Sequence, residues 1–228
     1  MTLDDALDQL REKAVPGKGL AMAVYHKAYR DYLGTANPEI DALCKTWRPA
    51  LSLEDRLALC AALWDTDIHE ARLAAAKLLT QARIRPDDAG AWDLIVSWVP
   101  SFDAWAIADH ASIAGQKRLV ADPTRLDTVE AWTTSDHLWT KRAALVMTLP
   151  WTKQNHPKPD ELLARDRILE WCAAYVEDTE WFIQKAVAWW IRDLSKHDPA
   201  RSAAFLAAHG DRMANFAQKE AGRHLAAQ

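Results

Sequence analysis

The sequence predicts an all-α protein built from stacked helix pairs. Three observations carry that expectation. Half of the 228 residues are apolar, only 7 are glycine and 10 proline, and alanine and leucine are abundant, a composition that favours helices. Apolar residues recur at three- and four-residue intervals, and no stretch sustains the alternation of a strand. Breaks in that periodicity coincide with prolines and glycines.

Taken in order, the first helix is expected over 2–14, ended by Pro16-Gly17. A second follows over 18–32 and stops at Gly34. Its Tyr25, Tyr29 and Tyr32 fall at i, i+4 and i+7, an aromatic stripe of the kind that more often enters a core than meets a ligand. Pro49 closes a third helix over 37–48. Helices over 53–64 and 69–81 come next, and Pro86 separates them from one over 87–97 with Asp87 at its start. Pro100 precedes a helix over 103–115, and Pro123 opens one over 124–132. Ser135-Asp136 and Asp178-Thr179-Glu180 resemble N-caps of helices over 137–148 and 179–196. Pro150 and Pro157–Pro159 set off a helix over 159–175. Pro199 opens 199–207, and a last helix is expected over 210–225.

No low-complexity linker interrupts the series, so residues 1–228 read as a single domain. Three segments are weakly alike: His69-Glu70-Ala71-Arg72-Leu73, His137-Leu138-Trp139-Thr140-Lys141-Arg142 and Trp181-Phe182-Ile183-Gln184-Lys185. Each sets a basic residue just before a small apolar run. Such spacing suggests HEAT-like antiparallel helix pairs stacked into a curved solenoid, whose concave face is a usual binding surface.

Composition also bounds function. No run of apolar residues is long enough for a membrane span. Met1 to Leu10 is acidic and lacks the basic start of a secretory signal. Cys44, Cys60 and Cys172 are scattered and odd in number, which points to free thiols and a cytoplasmic setting rather than a disulfide framework or zinc site. The eight histidines show no ligand spacing on one helix, so neither metal nor cofactor is expected. A net charge of −4 leaves room only for a local basic face. Twelve tryptophans exceed what a core of this size needs, so some are expected at the surface.

Two helices carry stripes that a core does not explain. Over 179–196, Ile183, Val187, Trp190, Ile191 and Leu194 form an apolar stripe, while Lys185, Trp189, Arg192 and Lys196 form a second, basic one with an aromatic in it. Lys and Arg suit phosphates and an indole can stack on a sugar or base; packing of Trp189 between helices is the plainer alternative. Over 103–115, Ala104, Ile107, Ala108 and Ala111 make a small apolar face. Trp105 and Asp109 are i, i+4 neighbours elsewhere, continued by Ser112. A carboxylate beside an indole could stabilise a cationic transition state, or pair with an arginine of a neighbouring helix. Lys141-Arg142 could hold phosphates or form an ion pair.

These same segments resemble the AlkD-type DNA alkylation repair family. The strongest match is Trp181-Phe182-Ile183-Gln184-Lys185-Ala186-Val187-Ala188-Trp189, followed by Ile191-Arg192-Asp193-Leu194-Ser195-Lys196 and Asp198-Pro199. Leu138-Trp139-Thr140-Lys141-Arg142-Ala143-Ala144-Leu145, Trp105-Ala106-Ile107-Ala108-Asp109, and Tyr25 ahead of Tyr32-Leu33-Gly34 with Pro38 after it follow the family's other elements in order. The likeness runs over nearly the whole chain. It departs at Thr140, Lys141 and Trp181.

The resemblance implies a HEAT-like solenoid with a concave DNA-binding face. It implies a catalytic carboxylate at Asp109, flanking tryptophans at Trp105 and Trp189, a phosphate-holding Arg142 and a duplex-contacting Tyr25. Lys141, Lys185, Arg192 and Lys196 are added as phosphate contacts from the basic stripes. The implied reaction is hydrolysis of the N-glycosidic bond of cationic N3- and N7-alkylated purines in double-stranded DNA. The resemblance further implies cleavage without flipping the base into a pocket; no cofactor is expected, a monomer is the simplest reading, and the expected location is the cytoplasm, at the nucleoid during repair. The competing expectation is a non-catalytic HEAT-like scaffold that binds DNA or a protein partner, or a purely structural helical adaptor.

Overall fold

Thirteen α-helices, short loops and 3₁₀ turns make up the described residues, 1–225, of this computed structural model, and no strand occurs among them. One isolated antiparallel bridge joins Ala14 to Thr35. The chain divides into two compact units, Met1–Asp122 and the remainder from Pro123.

The first unit holds α1 (Leu3–Glu12), α2 (Lys18–His26), α3 (Asn37–Ala50), α4 (Leu53–Asp65), α5 (His69–Leu78), α6 (Ala89–Trp98) and α7 (Trp105–Ala121). Six of these form two layers. In one, α1 packs on α4 and α4 on α6; in the other, α3 packs on α5 and α5 on α7. The second helix of one pair thus meets the second helix of the next, the arrangement of a helical repeat. Its chemical basis is clearest in α5, where Ala71, Ala74, Ala75 and Ala76 are fully or almost fully buried. Their small side chains let α4 and α7 approach closely. Between α4 and α6, Trp64 and Trp98 stack with ring centroids 4.3 Å apart and planes 4° apart.

The second unit holds α8 (Leu126–Glu130), α9 (Leu138–Met147), α10 (Pro159–Ala174), α11 (Trp181–Ser195), α12 (Pro199–His209) and α13 (Asn215–Ala221). Here α9 packs on α11, α11 on α13, and α10 on α12. The apolar stripe expected on α11 is the core: Ile183, Val187, Trp190, Ile191 and Leu194 are all 0% exposed. The three weakly similar segments begin α5, α9 and α11. Of these, α5 and α11 run through the middle of their layers, and α9 packs on α11. Buried Arg165 binds Asp198, the N-cap of α12, at 3.0 Å and donates to the carbonyls of Trp151 and Gln154. A buried guanidinium is tolerated only with its donors met in this way.

All thirteen expected helices have a counterpart, and several boundaries differ. The expected helix over 18–32 ends at His26, because Lys27 turns left-handed at φ 55 and closes the last turn on the Ala23 carbonyl. The tyrosine stripe therefore does not exist as a core feature: Tyr25 is 67% and Tyr29 104% exposed. Pro49 lies inside α3, one residue before its end at Ala50, rather than just beyond it. The expected 103–115 helix runs to Ala121. The expected 124–132 helix is a five-residue α8 between two 3₁₀ turns, and the 210–225 helix is a 3₁₀ turn followed by α13. Glu180 of the expected Asp178-Thr179-Glu180 cap does occupy the N-cap position of α11, whereas Asp87, Ser135 and Asp178 lie just ahead of the N-cap positions Asp88, His137 and Glu180. Each of these three accepts a backbone N–H two residues on, bending the chain into the helix that follows. The surface tryptophans expected from the count are there: Trp181 is half exposed, and Trp105, Trp132, Trp139 and Trp189 are only partly covered.

Candidate functional site

The sequence-assigned residues fall into both units. In the first, α7 opens at Trp105 and presents Asp109 one turn later, so both lie on one face. The opposite face is anchored: Ala106, Ile107, Ala108 and Ala111 are buried against the unit's core. Trp105 and Asp109 are both partly covered.

The short helix α2 brings Tyr25 to this face. The Tyr25 ring meets Trp105 edge-on at 5.9 Å, and His26 lies 5.3 Å from the same indole. Sequence spacing gives no hint of this contact, which depends on how the 13–36 segment folds back. Three features fix that return. Glu70, fully buried on α5, accepts the Leu33 and Gly34 N–H groups at 2.9 and 2.7 Å. Arg30 reaches Asp67 at 3.2 Å and also pairs with Asp103, just ahead of α7. Gly34 adopts φ +93, and a Cβ there would lie 2.9 Å from the Gly19 nitrogen.

Under α2 lies a cluster of rings that sequence reasoning missed. His26 and His69 stack at 4.5 Å, Tyr32 stacks on His69 at 4.8 Å, and the His26 and Tyr32 rings lie 6.0 Å apart with parallel planes. Burial pushes the His69 imidazole down to about 3. Burial likewise lowers His26 and His110, the latter against the pull of a hydrogen bond to the Ala106 carbonyl. All three rings are therefore neutral at physiological pH.

In the second unit, Arg142 is 4% exposed on α9, donates to the Phe182 carbonyl at 2.8 Å and lies 5.8 Å from the Phe182 ring centroid. Its neighbour Lys141 pairs with Asp178 and sits 5.0 Å over the Tyr175 ring. On α11 the basic stripe is present but largely neutralised. Arg192 pairs with Glu220 of α13 and lies 3.5 Å from Asp193; Lys196 lies 3.2 Å from Asp193. Trp189 donates its indole N–H to the same Asp193 at 3.2 Å. Lys185 stands apart, exposed, 5.2 Å over the Trp181 ring.

A model of the DNA alkylation repair enzyme family matches residues 6–225. This chain belongs to that family. Among solved structures, this DNA alkylation repair protein is similar to one from Enterococcus faecalis described as a predicted DNA alkylation repair enzyme. The two are 21% identical with a TM-score of 0.78, over 95% of this chain and 98% of that one. AlkD2 from Streptococcus mutans is 17% identical, TM-score 0.67, over 99% and 100% of the two chains. A further Streptococcus mutans UA159 protein, smu.31, is 17% identical, TM-score 0.65, over 97% and 98%. At these identities the likeness establishes the shared all-α fold. No curated protein matches the chain.

For this DNA alkylation repair family member, the structure brings Tyr25, Trp105 and Asp109 together in the first unit, and Trp189, Arg192 and Lys196 around Asp193 in the second. Lys141 and Arg142 are adjacent on α9 but point to different partners, and Lys185 belongs with Trp181. Asp193 could have been found from the sequence, because it lies four residues after Trp189 on the same helix. Glu220 and Asp178 could not, since their approach depends on how helices pack. No helix of the described residues is long and apolar enough to cross a membrane.

Proposed function

We propose that this DNA alkylation repair enzyme is a DNA N-glycosylase acting on cationic N3- and N7-alkylated purines, such as 3-methyladenine and 7-methylguanine, in duplex DNA. The observation that carries the reading is the Tyr25–Trp105–Asp109 face of the first unit. An indole and a carboxylate share one turn of a rigid helix, with an exposed phenol braced against the indole edge.

The chemistry follows from the charge of the lesion. An alkylated N3 or N7 makes the purine ring cationic, so the base departs neutral and needs little proton donation. The demanding part is the oxocarbenium character that develops at the sugar. A carboxylate held near the anomeric carbon lowers the energy of that cation and orients the attacking water. An indole face attracts the same cation, worth about 0.5–2 kcal/mol per contact. Asp109 takes the first role and Trp105 the second. From the second unit, Trp189 serves as a further indole and the exposed Lys185 supplies charge for a phosphate; buried Arg142 and the paired Lys141, Arg192 and Lys196 exchange Phe182, Asp178, Glu220 and Asp193 for phosphates when the strand binds. Tyr25 contacts the duplex. Cleavage by this route needs no base flipped into a pocket, in contrast to glycosylases that extrude their target. Neutral lesions, lacking the good leaving group, are poor substrates.

The test is release of free base from methylated duplex DNA. Asp109→Asn should keep duplex binding and lower 7-methylguanine and 3-methyladenine release by orders of magnitude. Undiminished release by that variant overturns the role of Asp109. Duplex binding by the unaltered protein with no release at all identifies a non-catalytic DNA-binding scaffold instead.

A further inference from the structure

Beside Trp105, on the α2 side, lies a cavity of about 330 Å³ bounded by α2, α3, α5 and α7 of the first unit. Trp105, Ile40, Lys18 and the three imidazoles of His26, His69 and His110 are among its walls. That volume is at the lower end of small-molecule sites, and the mix of apolar wall with a few polar atoms is typical of them. The Trp105–Asp109 face ascribed to sugar chemistry is on the same helix turn, since His110 follows Asp109 directly.

The polar atoms specify the occupant. His69 is 1% exposed, and its Nδ1 has no hydrogen-bond partner; neither has the buried Nδ1 of His26. A buried polar atom left unmet is costly, and in native proteins such atoms usually mark a place for water or ligand. On His110, Nδ1 lies 2.8 Å from the Ala106 carbonyl oxygen. A carbonyl only accepts, so the proton is on Nδ1, and Nε2 of this neutral ring is a bare acceptor. The walls therefore carry three flat, uncharged imidazole rings, two of them with an unmet Nδ1 and the third with a bare Nε2 acceptor, and the Lys18 ammonium is the one cation among the lining residues. A phosphate would find one positive charge and three neutral rings. A cationic ring would meet the ammonium. A flat, uncharged nitrogen heterocycle fits both the rings and the unmet atoms.

We propose that this cavity binds the free, uncharged purine base that the reaction releases. The identity of that base rests on the glycosylase reading above; the cavity's preference for a neutral heterocycle does not. The intact lesion, cationic and tied to its sugar, is not its ligand. The cavity acts after cleavage, holding the leaving base clear of the sugar beside Trp105.

The experiment is calorimetric titration of the intact protein with free 7-methylguanine and 3-methyladenine, with 7-methylguanosine, whose ring is cationic at slightly acidic pH, as comparator. Saturable binding of the free bases, at least tenfold tighter than the nucleoside, is expected. His69→Phe keeps a ring in the His26–Tyr32 stack and removes both nitrogens. It should weaken free-base binding about tenfold, the worth of one hydrogen bond inside a protein. Ala36→Leu, which adds bulk at a residue lining the cavity, should weaken it as well. Absence of saturable binding, equal affinity for the nucleoside, or unchanged binding in both variants overturns the proposal. Base release from methylated duplex is scored separately. Release without free-base binding removes the cavity and leaves the glycosylase. His69-dependent binding without release removes the glycosylase and keeps the cavity as a site for a neutral heterocycle.

Discussion

Asp193 shows how a single residue can change the meaning of a stripe. It accepts from Trp189, lies within ion-pair distance of Arg192 and Lys196, and is 8% exposed. Glu220 adds a second carboxylate on Arg192. The cations of α11 were legible in the sequence because helical spacing is a local property. Their neutralisation was not, because Glu220 arrives from α13, 28 positions away. Two predictions separate these cations. Lys185→Ala should weaken duplex binding and reduce the steepness of its salt dependence by about one unit, because this exposed ammonium is available to a phosphate. Arg192→Ala should change that steepness less. Glu220→Gln, which loosens Arg192, should tighten binding at low salt. A salt titration of duplex affinity for the three variants decides this, and equal slopes for Lys185→Ala and Arg192→Ala would contradict it.

The element that sequence reading misplaced is α2. Periodicity suggested one long helix through Tyr32, since Tyr25, Tyr29 and Tyr32 satisfy helical spacing on paper. The outcome was set by contacts outside the window: Glu70 pulling in the Leu33 and Gly34 amides, and Arg30 reaching Asp67 and Asp103. By contrast α5, α7, α9 and α11 were legible, because each buries a periodic face and their propensities agree with that face. The Tyr25–Trp105–Asp109 face follows the same division. Trp105 and Asp109 share a helix and were found together; Tyr25 was assigned only by resemblance, and its contact with Trp105 needed the fold. The return of α2 gives a testable consequence. At Gly34 a Cβ would meet the Gly19 nitrogen at 2.9 Å and the Val15 carbonyl oxygen at 3.0 Å, at a φ that side chains rarely adopt. Gly34→Ala should therefore cost about 1–3 kcal/mol of stability. It should also lower base release, because α2 carries Tyr25 and His26 onto Trp105. Denaturant unfolding and the release assay check the two parts, and a variant as stable and active as the parent would show that this return is not what seats α2.

At the scale of the whole molecule, the buried imidazoles make stability sensitive to mild acid. His69 is the clearest case, ordinarily near 6.5 and held down to about 3 first by burial and further by repulsion from Arg30 and from His26 and His110 once acid protonates them. The native state thus refuses a proton that the unfolded chain accepts below about 6.5. Stability contributed by the neutral ring is complete above that value and is lost progressively as pH falls from about 6.5 towards 3, at up to about 1.4 kcal/mol per pH unit for one such group. The carboxylates act in a lower window. Glu130, held below its usual range by hydrogen bonds from Arg167 and Trp171, loses its contribution only as pH drops through that lowered value. The two windows can be separated by substitution. His69→Phe retains the ring stack and has nothing to protonate, so between about pH 6 and 4.5 its unfolding free energy should fall less steeply than the parent's, whatever its stability at neutral pH. The parent's extra slope should persist down to about pH 3, where the folded ring itself takes up a proton, and only below that should the two curves run parallel, since the carboxylates are common to both. Chemical denaturation at a series of pH values measures the slopes directly. Identical slopes above pH 4.5 would mean that the His69 ring accepts its proton in the folded protein, and that the space around it is wetter than the packing of His26, Tyr32 and Trp105 indicates.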